Sequence, residues 1–135
     1  MSGTLLDTHV LIWLIEGLAR LGPRARQRAD AAMRDDTLFV SALTFWEIAT
    51  LAHRQHLHLG RPLAEWRRQV LGLGMVEVPV SGEIGILAAE LSDFHADPAD
   101  RIIVATAIMR DATLITADVR ILAWSGSLHR HRALE

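Results

Sequence analysis

Four acidic residues, Asp7, Glu47, Asp100 and Asp118, stand beside or within short apolar runs that lie far apart in the chain. Hard divalent cations such as Mg²⁺ and Mn²⁺ take oxygen ligands, and several carboxylates must converge to hold one. Without a cation, such a cluster would repel itself and raise the pKa values of its members. If the four side chains meet in space, their chemistry predicts a metal site.

Each of these acids also has a simpler structural interpretation. Asp7 and Asp118 can cap the helices that follow them, and Thr116 competes with Asp118 for that position. Glu47 can face solvent or pair with an arginine, because glutamate is seldom buried without compensation of its charge. Asp100 can be a first-turn acid favoured by the helix dipole. The other residues on its helix face are core-like, however, so we expect its side chain to point inward.

The sequence DPAD separates a structural acid from a functional one. Asp97 is a natural N-cap, Pro98 fits the first helical position, and Asp100 falls at the third. We therefore predict that Asp97 is a helix cap and leave it out of the acidic set.

The composition excludes several kinds of catalytic site. The 135 residues include no cysteine, lysine or tyrosine, and all 14 basic residues are arginine. Thiolate zinc sites, cysteine nucleophiles, Schiff-base lysines and P-loop phosphate binding are therefore excluded. The formal net charge of −2 predicts no strong nonspecific attraction to nucleic acid. A nucleic-acid partner would have to be met by local arginine patches or by metal ions.

Short apolar strands alternate with amphipathic helices along the chain. We predict strands at 4–6, 37–41, 75–80 and 113–116. We predict helices within 8–16, 22–36, 43–55, 61–74, 81–93, 97–111 and 119–124. The tail beyond is given no element and is expected to be mobile.

The alternation predicts a single domain over residues 1–135, with parallel strands joined by right-handed crossovers. The expected fold class is α/β, a three-layer α/β/α sandwich with a mostly parallel central sheet. Ligands bind such folds at the carboxyl ends of strands, which is where Asp7 and Asp118 lie. The apolar run near the N-terminus lacks a basic leader and is interrupted by Asp7 and Glu16, so we expect a cytoplasmic protein with no membrane partner.

The sequence resembles the PIN-domain family, and within it the VapC-type toxins of bacterial toxin–antitoxin pairs. The resemblance rests on LLDTHVLIW, SALTFWEIA, DPADRIIVATA and LITAD, which occur in the family's order and spacing. It implies a sheet related to that of 5′-nucleases and a magnesium- or manganese-dependent endoribonuclease that hydrolyses RNA with metal-activated water. By motif position, the catalytic and metal-binding set is Asp7, Glu47, Asp100 and Asp118.

The resemblance also implies supporting residues and partners. A hydroxyl close to the last acid is supplied by Thr116, and Thr8 and Ser41 are candidate donors that orient ligand carboxylates. The implied partners are RNA, a second copy in a homodimer, and an antitoxin whose amphipathic helix lies in an apolar groove. The alternatives are a catalytically silent PIN-like module that binds RNA or protein, a metal-dependent phosphatase, and a nuclease that cuts DNA.

Arginine and histidine clusters are further candidates for binding. Arginines can contact RNA phosphates, and they form three groups: Arg20, Arg24, Arg26 and Arg28; Arg67 and Arg68; and Arg130 and Arg132. For any one group, a solvated helix face or tail is the simpler interpretation. The histidines of HRQHLH could suggest zinc, but nothing nearby completes a four-ligand site.

Overall fold

Five short strands form one parallel sheet in the computed structural model, which describes residues 2–135. The strands are β1 (Thr4–Leu6), β2 (Leu38–Ser41), β3 (Val76–Val78), β4 (Thr113–Thr116) and β5 (Arg130–Arg132). Their order across the sheet is β3-β2-β1-β4-β5, and every neighbouring pair is parallel. Parallel neighbours need crossover connections, so the helices must cover the faces of the sheet.

Seven helices connect the strands within residues 2–135. They are α1 (Thr8–Ile15), α2 (Pro23–Arg34), α3 (Ala42–His53), α4 (Leu63–Gly72), α5 (Gly82–Glu90), α6 (Pro98–Met109) and α7 (Val119–Ala123). In the same range, no helix combines the length and apolar character that crossing a bilayer requires.

The central strands contribute to two apolar layers, one on each face of the sheet. Leu6 of β1 and Ile115 of β4 lie in a cluster with side chains of α1, α2, α3 and α4. The preceding residues, Leu5 and Leu114, lie in a second cluster with side chains of α6 and α7. This alternation follows from the two-residue period of a strand. The predicted α/β/α sandwich with a parallel central sheet is confirmed.

The predicted elements are present, with shifts at their ends. Pro23 and Pro98 each begin a helix. At the first helical position an amide proton would have no acceptor within the helix, so proline loses nothing by lacking one. Helix α3 ends at His53 and not at residue 55, because Gln55 adopts a left-handed φ of 61°. Strand β3 stops at Val78, directly before Pro79, which cannot donate to a ladder.

The C-terminal segment forms a strand that the sequence analysis missed. Strand β5 pairs with β4, placing His131 opposite Ile115, and the Ala133 amide donates to the Thr116 carbonyl at 2.8 Å. The expectation of a mobile tail is therefore wrong. The sequence RHR has no apolar alternation to mark it, and the strand is specified by the ladder that β4 offers.

Arg130 anchors this C-terminal segment from inside. Its guanidinium donates hydrogen bonds to main-chain carbonyl oxygens at 2.7–3.2 Å, those of Ile121, Trp124, Gly126 and Leu128. A planar group with five donors can satisfy several carbonyls at once. Arg130 is therefore a structural residue, and its candidacy as a phosphate contact is not supported.

We expect Arg130→Met to lower the free energy of unfolding by about 2–4 kcal/mol, because several buried carbonyls lose a charged donor. Urea unfolding followed by circular dichroism measures this. Arg132→Met is the matched control, since Arg132 is exposed on the same strand and should change stability by less than about 0.5 kcal/mol. Equal effects of the two substitutions would contradict the anchoring role.

Candidate active site

The carboxyl edge of the sheet gathers acids from four places in the sequence. Asp7 directly follows β1, Asp118 lies two residues after β4, and Asp100 is in the first turn of α6. Glu47, on α3, accepts a hydrogen bond from Thr8 at the start of α1. The four predicted acids therefore come from separate elements but converge on one region.

Thr116 links two of these acids through its hydroxyl. Asp7 is only 3% exposed, and its Oδ2 accepts a hydrogen bond from Thr116 Oγ1 at 2.7 Å. The same oxygen of Thr116 accepts the amide proton of Asp118 at 3.0 Å. Asp7 also caps α1, because its Oδ1 accepts the amide proton of Thr8 at 2.8 Å. One buried hydroxyl thus fixes Asp7 relative to the loop that carries Asp118.

Two threonines hold Glu47. Thr8 Oγ1 donates to Glu47 Oε1 at 2.5 Å and lies 3.0 Å from Thr44 Oγ1. A hydroxyl has one proton, so Thr44 must donate in the second bond. Burial raises the pKa of Glu47; the bond from Thr8 opposes that shift, and the charges of Asp7 and Asp100 add to it. Among residues 2–135 no arginine pairs with Glu47; its half-buried carboxylate is held by the linked hydroxyls of Thr8 and Thr44.

Asp100 and Asp118 both lie beside the guanidinium group of Arg120, and Asp100 also lies beside His95. Asp100 Oδ2 lies 2.7 Å from His95 Nε2 and 3.4 Å from Arg120 Nη2, which is also 3.3 Å from Asp118 Oδ2. Burial raises the pKa of Asp100; the bond from His95 opposes this, and the charges of nearby acids, Asp7 first, add to it. Burial also acts to raise the pKa of Asp118, but hydrogen bonds from Arg120 and two main-chain amides outweigh it, so that pKa is lowered.

His95 and Arg120 were missed by the sequence analysis. His95 precedes DPAD by two positions and Arg120 follows Asp118 by two, so spacing alone could have drawn attention to both. The loop before α6 is held by Arg101, whose guanidinium donates to main-chain carbonyls, those of Ala88, Leu91, Phe94 and His95. The Phe94 ring stacks on the His95 ring with centroids 4.3 Å apart. Arg101 is therefore a positioning residue for His95.

Two other predicted residues support backbone geometry. Asp97 Oδ1 accepts the amide protons of Ala99 at 3.0 Å and Asp100 at 3.4 Å, which fixes the first turn of α6. Ser41 is fully buried, and its hydroxyl accepts the amide proton of Leu43 at 3.1 Å. The hydrogen bond found for the Ser41 hydroxyl thus starts α3 and does not orient any of the four acids.

The donor set fits a hard divalent cation. Within residues 2–135, His95, Asp100 and Asp118 offer ligand atoms that all lie within 4.8 Å of one another. Donor atoms around one octahedral ion of this kind are separated by about 3–4 Å, so a small closure would suffice. Arg120 brings one positive charge to a region holding four carboxylates. The remaining negative charge and the oxygen-rich donors suit Mg²⁺ or Mn²⁺.

Comparison with known proteins identifies the fold family. The family model for the PIN domain matches residues 4–124. The chain belongs to the PIN-domain family. Ribonuclease VapC22 from Mycobacterium tuberculosis is 36% identical to it over 132 residues, which cover 97% of this chain and 95% of that protein.

Solved structures share the PIN fold seen here. A toxin–antitoxin complex from Klebsiella pneumoniae matches with a TM-score of 0.67 at 23% identity, covering 97% of this chain and 98% of that one. The DNA-bound VapBC structure from Salmonella typhimurium matches with a TM-score of 0.67 at 19% identity and the same coverage. At these identities the likeness concerns the fold.

The raised pKa values of Glu47 and Asp100 predict how the metal-free PIN domain responds to pH. A carboxyl group with a higher pKa in the folded state binds more protons when folded, so the free energy of unfolding falls as pH rises from the unfolded to the folded pKa. We expect Glu47→Gln to remove part of that fall and to raise Tm in EDTA at about pH 7.5. The glutamine oxygen can still accept the bond from Thr8.

Thermal unfolding between about pH 4 and pH 8, with EDTA throughout, measures this effect. Asp118 has a lowered pKa, so its contribution to the free energy of unfolding is lost as pH falls. That contribution is common to wild type and Glu47→Gln, so it cancels when the two proteins are compared. Glu65→Gln, at an exposed position, is the control. A lower Tm for Glu47→Gln than for wild type near neutral pH would contradict the prediction.

Proposed function

We propose that this PIN domain is a metal-dependent endoribonuclease that acts as the toxin of a type II toxin–antitoxin pair. The observation that carries the proposal is the convergence of Asp7, Glu47, Asp100 and Asp118 at one edge of the sheet. The similarity to a ribonuclease along most of the chain supports RNA as the substrate. The toxin–antitoxin complexes with the same fold support the biological role.

The carboxylates of Asp7, Asp100 and Asp118 would hold Mg²⁺ or Mn²⁺, with His95 as a nitrogen donor beside them. When bound, a divalent cation lowers the pKa of water and stabilises negative charge on a phosphoryl group. The aspartates are suited to this task because Thr116, Asp97 and main-chain amides fix their positions in advance. Donors that are already oriented cost little reorganisation on binding.

Glu47 and Arg120 have separate tasks in this proposal. Thr8 holds Glu47 in place, and burial raises the pKa of Glu47. The raised pKa brings Glu47 towards the range in which a carboxylate accepts a proton from an attacking water molecule. The Arg120 side chain is 57% exposed and therefore extends from the acids towards solvent. From there it can turn to the phosphate group of an incoming RNA and fix its position.

Exposed apolar residues that adjoin two of the acids in sequence support an antitoxin partner. Trp46, next to Glu47, is 61% exposed, and Val119, next to Asp118, is 73% exposed. Large exposed apolar side chains close to a polar site favour a protein partner that covers both. An apolar antitoxin segment lying over Trp46 and Val119 would close the site to RNA.

Exposed Ile86 and Met109 on other helices are candidates for a homodimer contact.

We expect the purified protein to cleave RNA in Mn²⁺ or Mg²⁺, to stop in EDTA, and to leave 5′-phosphate ends. Asp7→Asn and Asp100→Asn each remove a proposed ligand, so cleavage should fall by more than about 100-fold. Gel assays on labelled total RNA, with end-group analysis of the products, measure both effects.

Asp111→Asn is the matched control for these variants. Asp111 is exposed, and its left-handed φ of 51° suits asparagine, so this substitution should leave cleavage unchanged. If folded wild-type protein cut no RNA with either metal, the catalytically silent module would replace this proposal. Undiminished cleavage by the Asp7 and Asp100 variants would remove their proposed roles.

His95→Asn should weaken Mn²⁺ binding by about 10- to 100-fold, because it removes a nitrogen donor and frees Asp100 from its 2.7 Å partner. Isothermal titration of Mn²⁺ without RNA measures the affinity. His129→Asn is the control, since His129 is exposed and lies near Asp111, away from the acids. Equal Mn²⁺ affinities for wild type and His95→Asn would exclude His95 from the metal site.

A further inference from the structure

A basic groove runs between α2 and the edge strand β5. It has a volume of about 550 Å³ and is lined by Arg24, Gln27, Arg28, Ala31, Arg34 and His131. We call it the α2–β5 groove. Helix α2 buries Ala25, Ala29 and Ala32 against the sheet. The groove residues of α2 recur at spacings of three or four, so they share a neighbouring face of the helix: Arg24, Gln27, Arg28, Ala31 and Arg34.

The arginine side chains of the α2–β5 groove have no ion-pair partner within the described chain. Within residues 2–135, no carboxylate oxygen lies within 4.0 Å of the guanidinium groups of Arg24, Arg28 and Arg34. Glu135 lies beside the groove: its main-chain oxygen accepts the amide proton of Arg24 at 2.8 Å, and its charge acts to raise the pKa of His131. All three side chains are exposed. In a chain of formal net charge −2, this concentrates positive charge on one surface, where it can attract a polyanion.

His131 adds an unpartnered nitrogen to the groove. Its Nε2 atom is buried, and among residues 2–135 it has no hydrogen-bond partner. Burial lowers the pKa of His131, and the charge of Arg28 lowers it further, which favours the neutral ring. A buried polar atom normally has a partner. In this structure the atom is closed to solvent, so the His131 ring has to turn before Nε2 can meet a phosphate oxygen in the groove.

The groove begins at the same edge of the sheet as the acids. The amide of Ala133, just after β5, donates to the carbonyl of Thr116, whose hydroxyl holds Asp7. The amide of Gly22 donates to the carbonyl oxygen of Ala133 at 2.8 Å, and this bond ties the start of α2 to the same edge. From Arg24, a helix rise of about 1.5 Å per residue places Arg28 and Arg34 roughly 6 Å and 15 Å further along α2. The basic side chains therefore lead away from the acids along one path.

We propose that the α2–β5 groove binds the sugar–phosphate backbone of the RNA substrate beside the cleavage position. The proposal rests on the proposed function, because it takes RNA as the substrate of the acidic site. Arginines spaced along a helix contact successive phosphates without reading bases. The groove thus supplies affinity and register for the strand, and sequence preference has to come from other surfaces.

The test compares two triple variants that remove the same charge. Arg24, Arg28 and Arg34 are changed to Gln in one; Arg54, Arg61 and Arg110, which are also exposed and belong to none of the three arginine groups, are changed to Gln in the control. Fluorescence anisotropy measures binding of a labelled single-stranded RNA of about 20 nucleotides, with EDTA present to prevent cleavage, over about 50–300 mM KCl. Circular dichroism checks that each variant is folded.

Each phosphate contact contributes about 0.7 to the slope of log affinity against log salt for a single strand. We expect the groove triple variant to lose about 2 from that slope and to bind at least about tenfold more weakly at the lowest salt, whereas the control triple variant loses less than about 0.5. Equal losses of slope and affinity in the two triple variants would overturn the proposal that the groove binds RNA. So would failure of the wild type to bind this RNA.

The outcome separates this inference from the proposed function. If the wild type cleaves RNA in Mn²⁺ but the two triple variants bind alike, the groove is overturned and the nuclease stands. If binding depends on Arg24, Arg28 and Arg34 but the wild type never cleaves, the groove stands and the nuclease is overturned.

Discussion

Burial of carboxylates beside one another is the constraint around which this PIN domain is built. Asp7 and Asp100 are buried and Glu47 is half-buried; burial, and then the charge of Asp7, raises the pKa values of Glu47 and Asp100. The chain offsets the repulsion with donors at each acid: a threonine hydroxyl at Asp7 and at Glu47, a histidine at Asp100, and main-chain amides at Asp118. These donors leave a net negative charge, so they hold the acids in place and still favour a cation among them.

The sheet solves the placement problem that these acids pose. Parallel strands bring their carboxyl ends to one edge, so residues more than a hundred positions apart, such as Asp7 and Thr116, become hydrogen-bond partners. Two connections, one before α6 and one before β5, have no regular structure of their own. Each is held by one arginine, Arg101 or Arg130, whose guanidinium satisfies several carbonyls. Arginine suits this role better than lysine because its donors are fixed in a plane.

How much of this could be predicted depends on whether the determining interaction is local. Apolar runs and the DPAD start of α6 carry their own signals, so four strands and the α/β/α architecture followed from the sequence. Strand β5 did not, because its stability comes from the ladder with β4 and from Arg130. His95 was missed for a related reason: it meets Asp100 because Arg101 binds main-chain carbonyls as far back as Ala88 and so shapes the loop before α6. Ser41 stands near the acids in the family motif, but the backbone amide of Leu43 occupies its hydroxyl.

Net charge alone conceals how this chain can approach a polyanion. A value of −2 predicts weak attraction to RNA, and the carboxylates themselves repel phosphate. Arg120 reaches outward from the acids, and the arginines of α2 begin at the same sheet edge. Attraction and repulsion are therefore separated along the surface and do not cancel. A polyanion drawn in by the arginines would lie close to a region that repels its phosphates until positive charge is added there, so its productive binding would depend on a cation among the acids.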